Sequence, residues 1–165
     1  MKLLPVYPFP ELQSGNLLLR QVLPEDIPDL LEILTYDGKA VETPEEGMQI
    51  MKRIHQDYLD GNSVNWGIQK CDTGELMGVI GYYRGFAGGS GEVGFILKAA
   101  FRGFGYLSSS LSLVLAFGLE QLKLNEIKAY TKPDNAKAIA TLSRNGFVTN
   151  QERDGDYWKF VYSPE

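Results

Sequence analysis

The chain has 165 residues, of which 44% are hydrophobic, and this composition is enough to bury a core, so we expect one domain over residues 1–165. Its formal net charge of -5 argues against an extended contact with a phosphate backbone, so nucleic acid is not an expected partner. Cys71 is the single cysteine, which excludes an internal disulfide and a cysteine-based metal site and fits a reducing cytoplasm.

Apolar spacing predicts a strand followed by two helices in the first third of the chain. Leu17–Val22 form a short strand-like run, and residues 23–34 (LPEDIPDLLEIL) place apolar side chains at helical intervals. Residues 43–46 (TPEE) have the capping-box spacing and a proline at the first helical position. These signals predict a second helix that ends near Asp60.

Three strands are predicted in the middle of the chain. Ser63–Lys70 and Glu75–Arg84 are joined by CDTG, whose Asp and Gly favour a tight turn. The glycine-rich link GFAGGSG (residues 85–91) leads to a third strand, Glu92–Lys98. We expect these strands to form an antiparallel meander.

The last third predicts a buried helix, a strand, a second helix and aromatic-rich strands. Apolar residues recur at three- and four-residue steps over Leu107–Leu122, and Asn125–Lys132 has the pattern of a strand. A strand, helix and strand in this order imply a parallel crossover beside the meander, and thus a mixed sheet. Charged residues interrupt the most apolar stretch, so no membrane span is expected.

The loop FRGFGYLSSS (residues 101–110) connects the third strand of the meander to the buried helix. Gly103 and Gly105 suit a tight turn with positive φ, but a glycine-rich turn before a helix also presents free amides and a positive helix end to an anion. The loop lacks the Gly-Lys-Ser/Thr ending of a P-loop, and Ser108 replaces the third glycine of a dinucleotide fingerprint. Nucleoside triphosphates, NAD and FAD are therefore disfavoured.

Residues 102–107 (RGFGYL) resemble the Arg/Gln-x-x-Gly-x-Gly/Ala loop of the GNAT superfamily, the acyl-CoA-dependent N-acetyltransferases. Residues 17–34 resemble the first strand and helix of this family, residues 91–131 its cofactor core, and residues 134–147 the following helix. Among its subfamilies, the chain is most similar to the group containing the bacterial ribosomal-protein N-terminal acetyltransferases. The resemblance implies an α+β fold with a mixed sheet of about seven strands, a parallel pair at the cofactor cleft and about four helices.

The resemblance also implies acetyl-CoA as co-substrate and assigns its contacts. The backbone of Phe95–Lys98 would pair with pantetheine as an added strand, amides from Gly103 to Ser108 would hold the pyrophosphate, and Asn135 would approach the thiol end. Lys98 and Arg102 flank the loop and would add positive charge. The complete set implied by the resemblance is Phe95, Ile96, Leu97, Lys98, Arg102, Gly103, Phe104, Gly105, Tyr106, Leu107, Ser108 and Asn135.

Three catalytic roles follow from the same resemblance. Glu92 matches the glutamate of the family's Glu-Ile-Gly stretch and is the candidate base, while the amide of Leu97 is the candidate oxyanion donor. Many members carry a tyrosine where this chain has Leu142. Ser143 and Tyr130 are then candidates to protonate the sulfur, or the thiolate leaves unassisted.

These assignments predict an N-acetyltransferase that needs no metal and acts on a primary amine by direct attack. A peptide N-terminus or a small amine is the favoured acceptor, because an α-amine (pKa about 7.7–8.0) needs less help from a base than lysine (about 10.4). The alternative is a non-catalytic acyl-CoA-binding module with the same fold, which Leu142 suggests. Leu107 and Ala138 also replace smaller or polar family residues at the cofactor site, and both a monomer and a homodimer stay open.

Overall fold

A sheet of nine strands forms the centre of the computed structural model, which describes residues 3–36 and 39–163 except for the side chain of Tyr36. The strand order is β1-β2-β5-β6-β7-β8-β11-β10, with β9 paired to β11, while β3 and β4 form a separate hairpin. The strands are β1 (Leu12–Ser14), β2 (Leu17–Arg20), β3 (Thr35–Tyr36), β4 (Lys39–Ala40), β5 (Val64–Lys70), β6 (Leu76–Tyr83), β7 (Ser90–Leu97), β8 (Glu126–Thr131), β9 (Phe147–Val148), β10 (Arg153–Asp154) and β11 (Tyr157–Tyr162).

The helices lie in the four segments that the sequence predicts. They are α1 (Ile27–Leu30), which follows a 3-10 turn, α2 (Pro44–Leu59), α3 (Tyr106–Glu120) and α4 (Ala136–Arg144). The Thr43 hydroxyl accepts the Glu46 amide at the start of α2 (3.2 Å), so the capping signal in the sequence is used. In the described part of the chain, none of these helices has the length and apolar composition of a membrane span.

The sheet is mixed, as the sequence predicts. All of its strand pairs are antiparallel except β7 and β8, which are parallel and are connected through α3. The expected meander is β5-β6-β7, and β8 lies beside it. The strand count exceeds seven because β1, β9 and β10 are edge segments of only two or three residues.

Two hydrophobic clusters cover the sheet. The larger cluster joins α3 and α4 to the sheet through side chains such as Trp66, Leu111 and Leu142. The second cluster packs α1 and α2 against β6 and includes Leu30 and Val79. The two helix pairs therefore bury different side chains of the sheet.

Candidate active site

The parallel strands β7 and β8 pair only at their beginnings and then separate. Their register joins Ser90–Glu92 to Glu126–Lys128, and no described strand pairs with the β8-facing edge of Val93–Leu97. A cleft of about 380 Å³ opens where the strands diverge. It is lined by Val93, Gly94, Phe95, Ala129, Tyr130, Thr131, Lys132, Asn135, Ala138, Leu142 and Tyr157.

The open edge of β7 presents backbone groups toward this cleft. Lys98 donates its amide to the carbonyl of Met77 on β6 (2.8 Å), and because strand residues alternate, the backbone groups of Leu97 point the other way. The same alternation directs the backbone of Phe95 to the cleft side. This edge can therefore accept an extended ligand that carries amide groups.

The glycine loop leads from this edge to the first turn of α3. Gly103 (φ +88°) and Gly105 (φ +83°) are both left-handed, and a Cβ added at either would meet nothing within 4 Å. Gly105 supplies no side-chain cap to α3, so the first amides, from Tyr106 to Ser108, have no partner in the helix ladder. The loop thus combines open space with unsatisfied donors at the positive end of a 15-residue helix.

The side chains around the loop point in different directions. Leu107 is partly buried and packs against the main core, so its bulk is directed away from the open side of the turn. The Ser108 hydroxyl accepts the side-chain amide of Asn145 (3.0 Å), which also bonds to the carbonyl of Thr141 on α4 (2.7 Å). Phe104 is 70% exposed at the tip of the loop.

The structure corrects the prediction that both Lys98 and Arg102 add positive charge beside the loop. The Lys98 side chain is buried, and its ammonium lies 2.8 Å from the Asp29 carboxylate at α1, so its charge is already compensated. Arg102 donates from Nε and Nη2 to the carbonyl of Leu97 (3.1 and 2.9 Å). Of the two cations, only Arg102 brings a charge to the loop that no described carboxylate neutralises.

Glu92 lies at the point where the two strands separate. Its side chain is only 17% exposed, and Nη1 of Arg84 is 3.5 Å from its Oε2 atom. Burial raises the pKa of the Glu92 carboxyl, while Arg84 and Lys128 act in the opposite direction. Glu92 is not itself among the lining residues of the cleft, but the next residue of β7, Val93, is. A carboxylate with a raised pKa is suited to accept a proton.

Ser143 does not reach the cleft, and its expected role as the acid is corrected. Leu142 is buried and lines the cleft, but the next residue of a helix points about 100° away, and Ser143 is exposed. Tyr130, the second candidate, does line the cleft. Burial raises the pKa of the Tyr130 phenol, which the Lys159 ammonium opposes.

Asn135 lines the cleft, and its side chain also has a structural contact. The side-chain oxygen accepts the amide of Ala138 (3.2 Å) and caps α4. Among the described residues its side-chain nitrogen has no hydrogen-bond partner, so this nitrogen is the group that can face a ligand. Ala138 lines the same wall and supplies only a methyl group there.

Tyr83 on β6 faces Glu92, although the sequence did not place it among the predicted site residues. Tyr83 is the cross-strand partner of Glu92, its hydroxyl donates to Asn65 Oδ1 (2.7 Å), and burial raises the pKa of its phenol. Its ring lies about 3.1 Å from where a Cβ on Gly94 would be, so the glycine makes room for the tyrosine. The adjacent residues Tyr82 and Tyr83 could have indicated this position, because neighbouring residues of a strand face opposite sides of the sheet and one of the two tyrosines must lie on the side of Glu92.

The family follows from a match over most of the chain. Residues 16–148 match the family model described as an acetyltransferase (GNAT) domain. The chain belongs to the GNAT acetyltransferase family. It is 26% identical over 162 residues to the uncharacterized N-acetyltransferase YoaA of Bacillus subtilis (strain 168), covering 93% of this chain and 89% of that protein.

Solved structures share the fold of this GNAT chain. A ribosomal-protein-S5-alanine acetyltransferase from Vibrio fischeri superposes with a TM-score of 0.77 at 16% identity, covering 92% of this chain and 94% of that one. RimL, a ribosomal L7/L12 alpha-N-protein acetyltransferase in complex with coenzyme A, gives a TM-score of 0.79 at 18% identity, covering 92% and 97%. GNAT acetyltransferases use acetyl-CoA, and this chain is accordingly an acetyl-CoA-dependent acetyltransferase.

Proposed function

We propose that this GNAT enzyme transfers the acetyl group to a primary amine, either a peptide or protein N-terminus or a small amine, by direct attack on the thioester. The observation that carries the proposal is the partly buried Glu92 carboxylate at the divergence of β7 and β8. The structural likeness to ribosomal-protein acetyltransferases supports a RimJ/RimL-like enzyme and, through it, an N-terminal amine as acceptor. A free exposed thiol at Cys71 supports a cytoplasmic location.

The open edge and the glycine loop fit acetyl-CoA. Within the stretch Phe95–Lys98, the backbone groups of Phe95 and the amide of Leu97 face the cleft and would pair with pantetheine, whereas Lys98 bonds to β6. The amides from Gly103 to Ser108 would hold the pyrophosphate. Arg102 adds a charge beside the loop, and Asn135 lies at the cleft wall near the expected thiol end. When bound, acetyl-CoA supplies an activated acyl group at this edge.

Two groups of the protein act on the reacting atoms in this proposal. As the amine nitrogen bonds to the carbonyl carbon and the carbon–sulfur bond breaks, Glu92 accepts the proton that the amine must lose, directly or through water. The amide of Leu97, directed to the cleft by strand alternation, donates to the carbonyl oxygen as negative charge develops on it.

Tyr130 takes the place of Ser143 beside the departing sulfur. Because burial raises the pKa of its phenol while a thiol has a pKa of about 8.5, complete proton transfer from Tyr130 to the thiolate is uphill. Its hydroxyl can still donate a hydrogen bond to the sulfur, and such assistance suffices for a thiolate that is already a fair leaving group.

Release of free thiol from acetyl-CoA tests the proposal. The full chain is mixed with acetyl-CoA and a panel of small amines, polyamines and peptides with free or blocked N-termini, and we expect thiol release only with free amines. Glu92→Gln should lower kcat by about 10²- to 10⁴-fold without changing acetyl-CoA binding, whereas the exposed Glu75→Gln should have no effect. Acetyl-CoA binding without thiol release from any amine would contradict the proposal.

A further inference from the structure

Arg84, which directly follows β6 and pairs with Glu92, has a backbone conformation that residues with a side chain rarely adopt. Its φ is +66°, and the next residue, Gly85, has a φ of +80°. A glycine would adopt this conformation without strain, and the link of residues 85–91 contains four glycines. The chain nevertheless keeps an arginine here, and strain of this kind is tolerated most often at functional sites.

The link that follows Arg84 is held at both ends, contrary to what its glycine content suggests. The Gly85 amide donates to the carbonyl of Asn62 (2.8 Å), and Asn125 donates its backbone amide to the carbonyl of Gly89 (2.9 Å). Phe86 packs against the ring of Tyr82 between these points, with centroids 6.1 Å apart. The position of Arg84 is therefore fixed by the fold.

The Arg84 guanidinium has hydrogen-bonding capacity to spare. Its side chain is 76% exposed, and in the described part of the chain its ion pair is with Glu92, at 3.5 Å. A guanidinium carries five N–H donors in a planar fork that matches a carboxylate. Lys128, the register partner of Glu92 on β8, also lowers the pKa of the Glu92 carboxyl through its charge, while Asp154 raises it.

We propose that Arg84 determines acceptor specificity by binding a carboxylate of the acceptor beside the amine that Glu92 deprotonates. The inference rests on the proposed function. Because the Arg84 and Glu92 charges are 3.5 Å apart, the carboxylate and the amine must be neighbours in one molecule. The acceptor is then either a peptide whose first residue is acidic or a free amino acid, and a polyamine is disfavoured.

Steady-state acetylation of matched acceptors tests this inference and separates the two carboxylate sources. Glutamyl-alanine amide is compared with glutaminyl-alanine amide for a side-chain carboxylate, and alanine with alanine amide for an α-carboxylate. We expect at least a tenfold higher kcat/KM for the carboxylate-bearing member of one pair, since a charge-assisted hydrogen bond is lost in the other. Arg84→Gln should reduce that ratio to about one, mainly through the KM of the acidic acceptor.

Two variants control for folding and for simple loss of charge. Arg84→Gly removes the guanidinium but relieves the backbone, so it should lose the preference without a lower Tm. Lys123→Gln is a matched control, because Lys123 is also an exposed cation with positive φ (+55°) but is not among the charged groups that act on Glu92, and its ratio should stay that of the parent.

Three results would overturn the inference. A parent enzyme that acetylates both members of each pair equally well, or only polyamines, would show that no acceptor carboxylate is recognised, while acetyl transfer itself would stand. An Arg84→Gln enzyme with a lower kcat but an unchanged ratio would show that Arg84 only positions Glu92. Failure of every amine to release thiol would refute the proposed function together with this inference.

Discussion

An alanine at Gly103 or Gly105 should separate the cost of folding the loop from the cost of holding coenzyme A. Both glycines have φ values near +85° and open space around them, so an alanine introduces no clash. It lowers the free energy of unfolding only through the strain of a left-handed backbone. That strain is about 1–2 kcal/mol. For 165 residues the entropy of unfolding is about 0.35 kcal/mol/K, so each substitution should lower Tm by about 3–6 °C without ligand.

The matched control is Gly74→Ala, in the turn between β5 and β6. Gly74 has a similar φ (+76°) and no atom within 4 Å of an added Cβ, so it should lose the same Tm as the loop variants. Coenzyme A at about 100 times its Kd stabilises a protein by about 2.7 kcal/mol, which corresponds to about 8 °C for the parent and for Gly74→Ala.

The loop variants should lose most of this ligand shift, because the added methyl group occupies the space in which the pyrophosphate approaches the amides. A binding loss of tenfold or more reduces the stabilisation to about 1.4 kcal/mol or less, so we expect a shift of at most about 4 °C. Thermal unfolding with and without coenzyme A measures both quantities. Equal ligand shifts for Gly103→Ala, Gly105→Ala and Gly74→Ala would refute the assignment of the loop to the pyrophosphate.

Three further outcomes are expected. Because burial raises the pKa of Glu92, kcat/KM should increase as the pH rises through a value above the ordinary carboxyl range, and Glu92→Gln should abolish this limb of the pH profile; an unchanged limb would exclude Glu92 as the base. Tyr130→Phe should lower kcat by about tenfold without affecting coenzyme A binding, whereas Ser143→Ala should have the kcat of the parent. A larger loss of kcat in Ser143→Ala than in Tyr130→Phe would instead identify Ser143 as the residue that assists the sulfur. Gly118→Ala, in α3, should destabilise the protein by about 1–3 kcal/mol in urea despite its better helix propensity, because the new Cβ would overlap the buried hydroxyl of Tyr82; a gain in stability would contradict this packing.

The order of the elements and the position of the glycine loop could be predicted because they depend on local patterns. The capping signal of residues 43–46 needs only neighbouring residues, and it is used at the start of α2. The parallel crossover follows from the order of a strand, a buried helix and a strand, and β7 and β8 are indeed the parallel pair. Local sequence patterns were sufficient for both.

The misplaced side chains depend on contacts between distant segments. Lys98 pairs with Asp29, which is 69 residues away, so its burial could not be read from its neighbours on β7. Ser143 and Leu142 are adjacent in sequence, and only the packing of α4 against the sheet decides which of them faces the cleft. Arg84 was not predicted as a site residue, because the role proposed for it rests on a backbone angle and on its separation from Glu92, which the sequence does not show.

The hydrogen bond between Asn145 and Ser108 links the end of α4 to the start of α3. Asn145 is anchored to the last turn of α4 through Thr141 and at the same time to the first turn of α3 through Ser108. A ligand that orders the first turn of α3 must therefore also suppress local opening at the end of α4. We expect amide hydrogen exchange to slow in both segments at the same concentration of coenzyme A. In Asn145→Ala, coenzyme A should slow exchange only at the start of α3 and no longer at the end of α4.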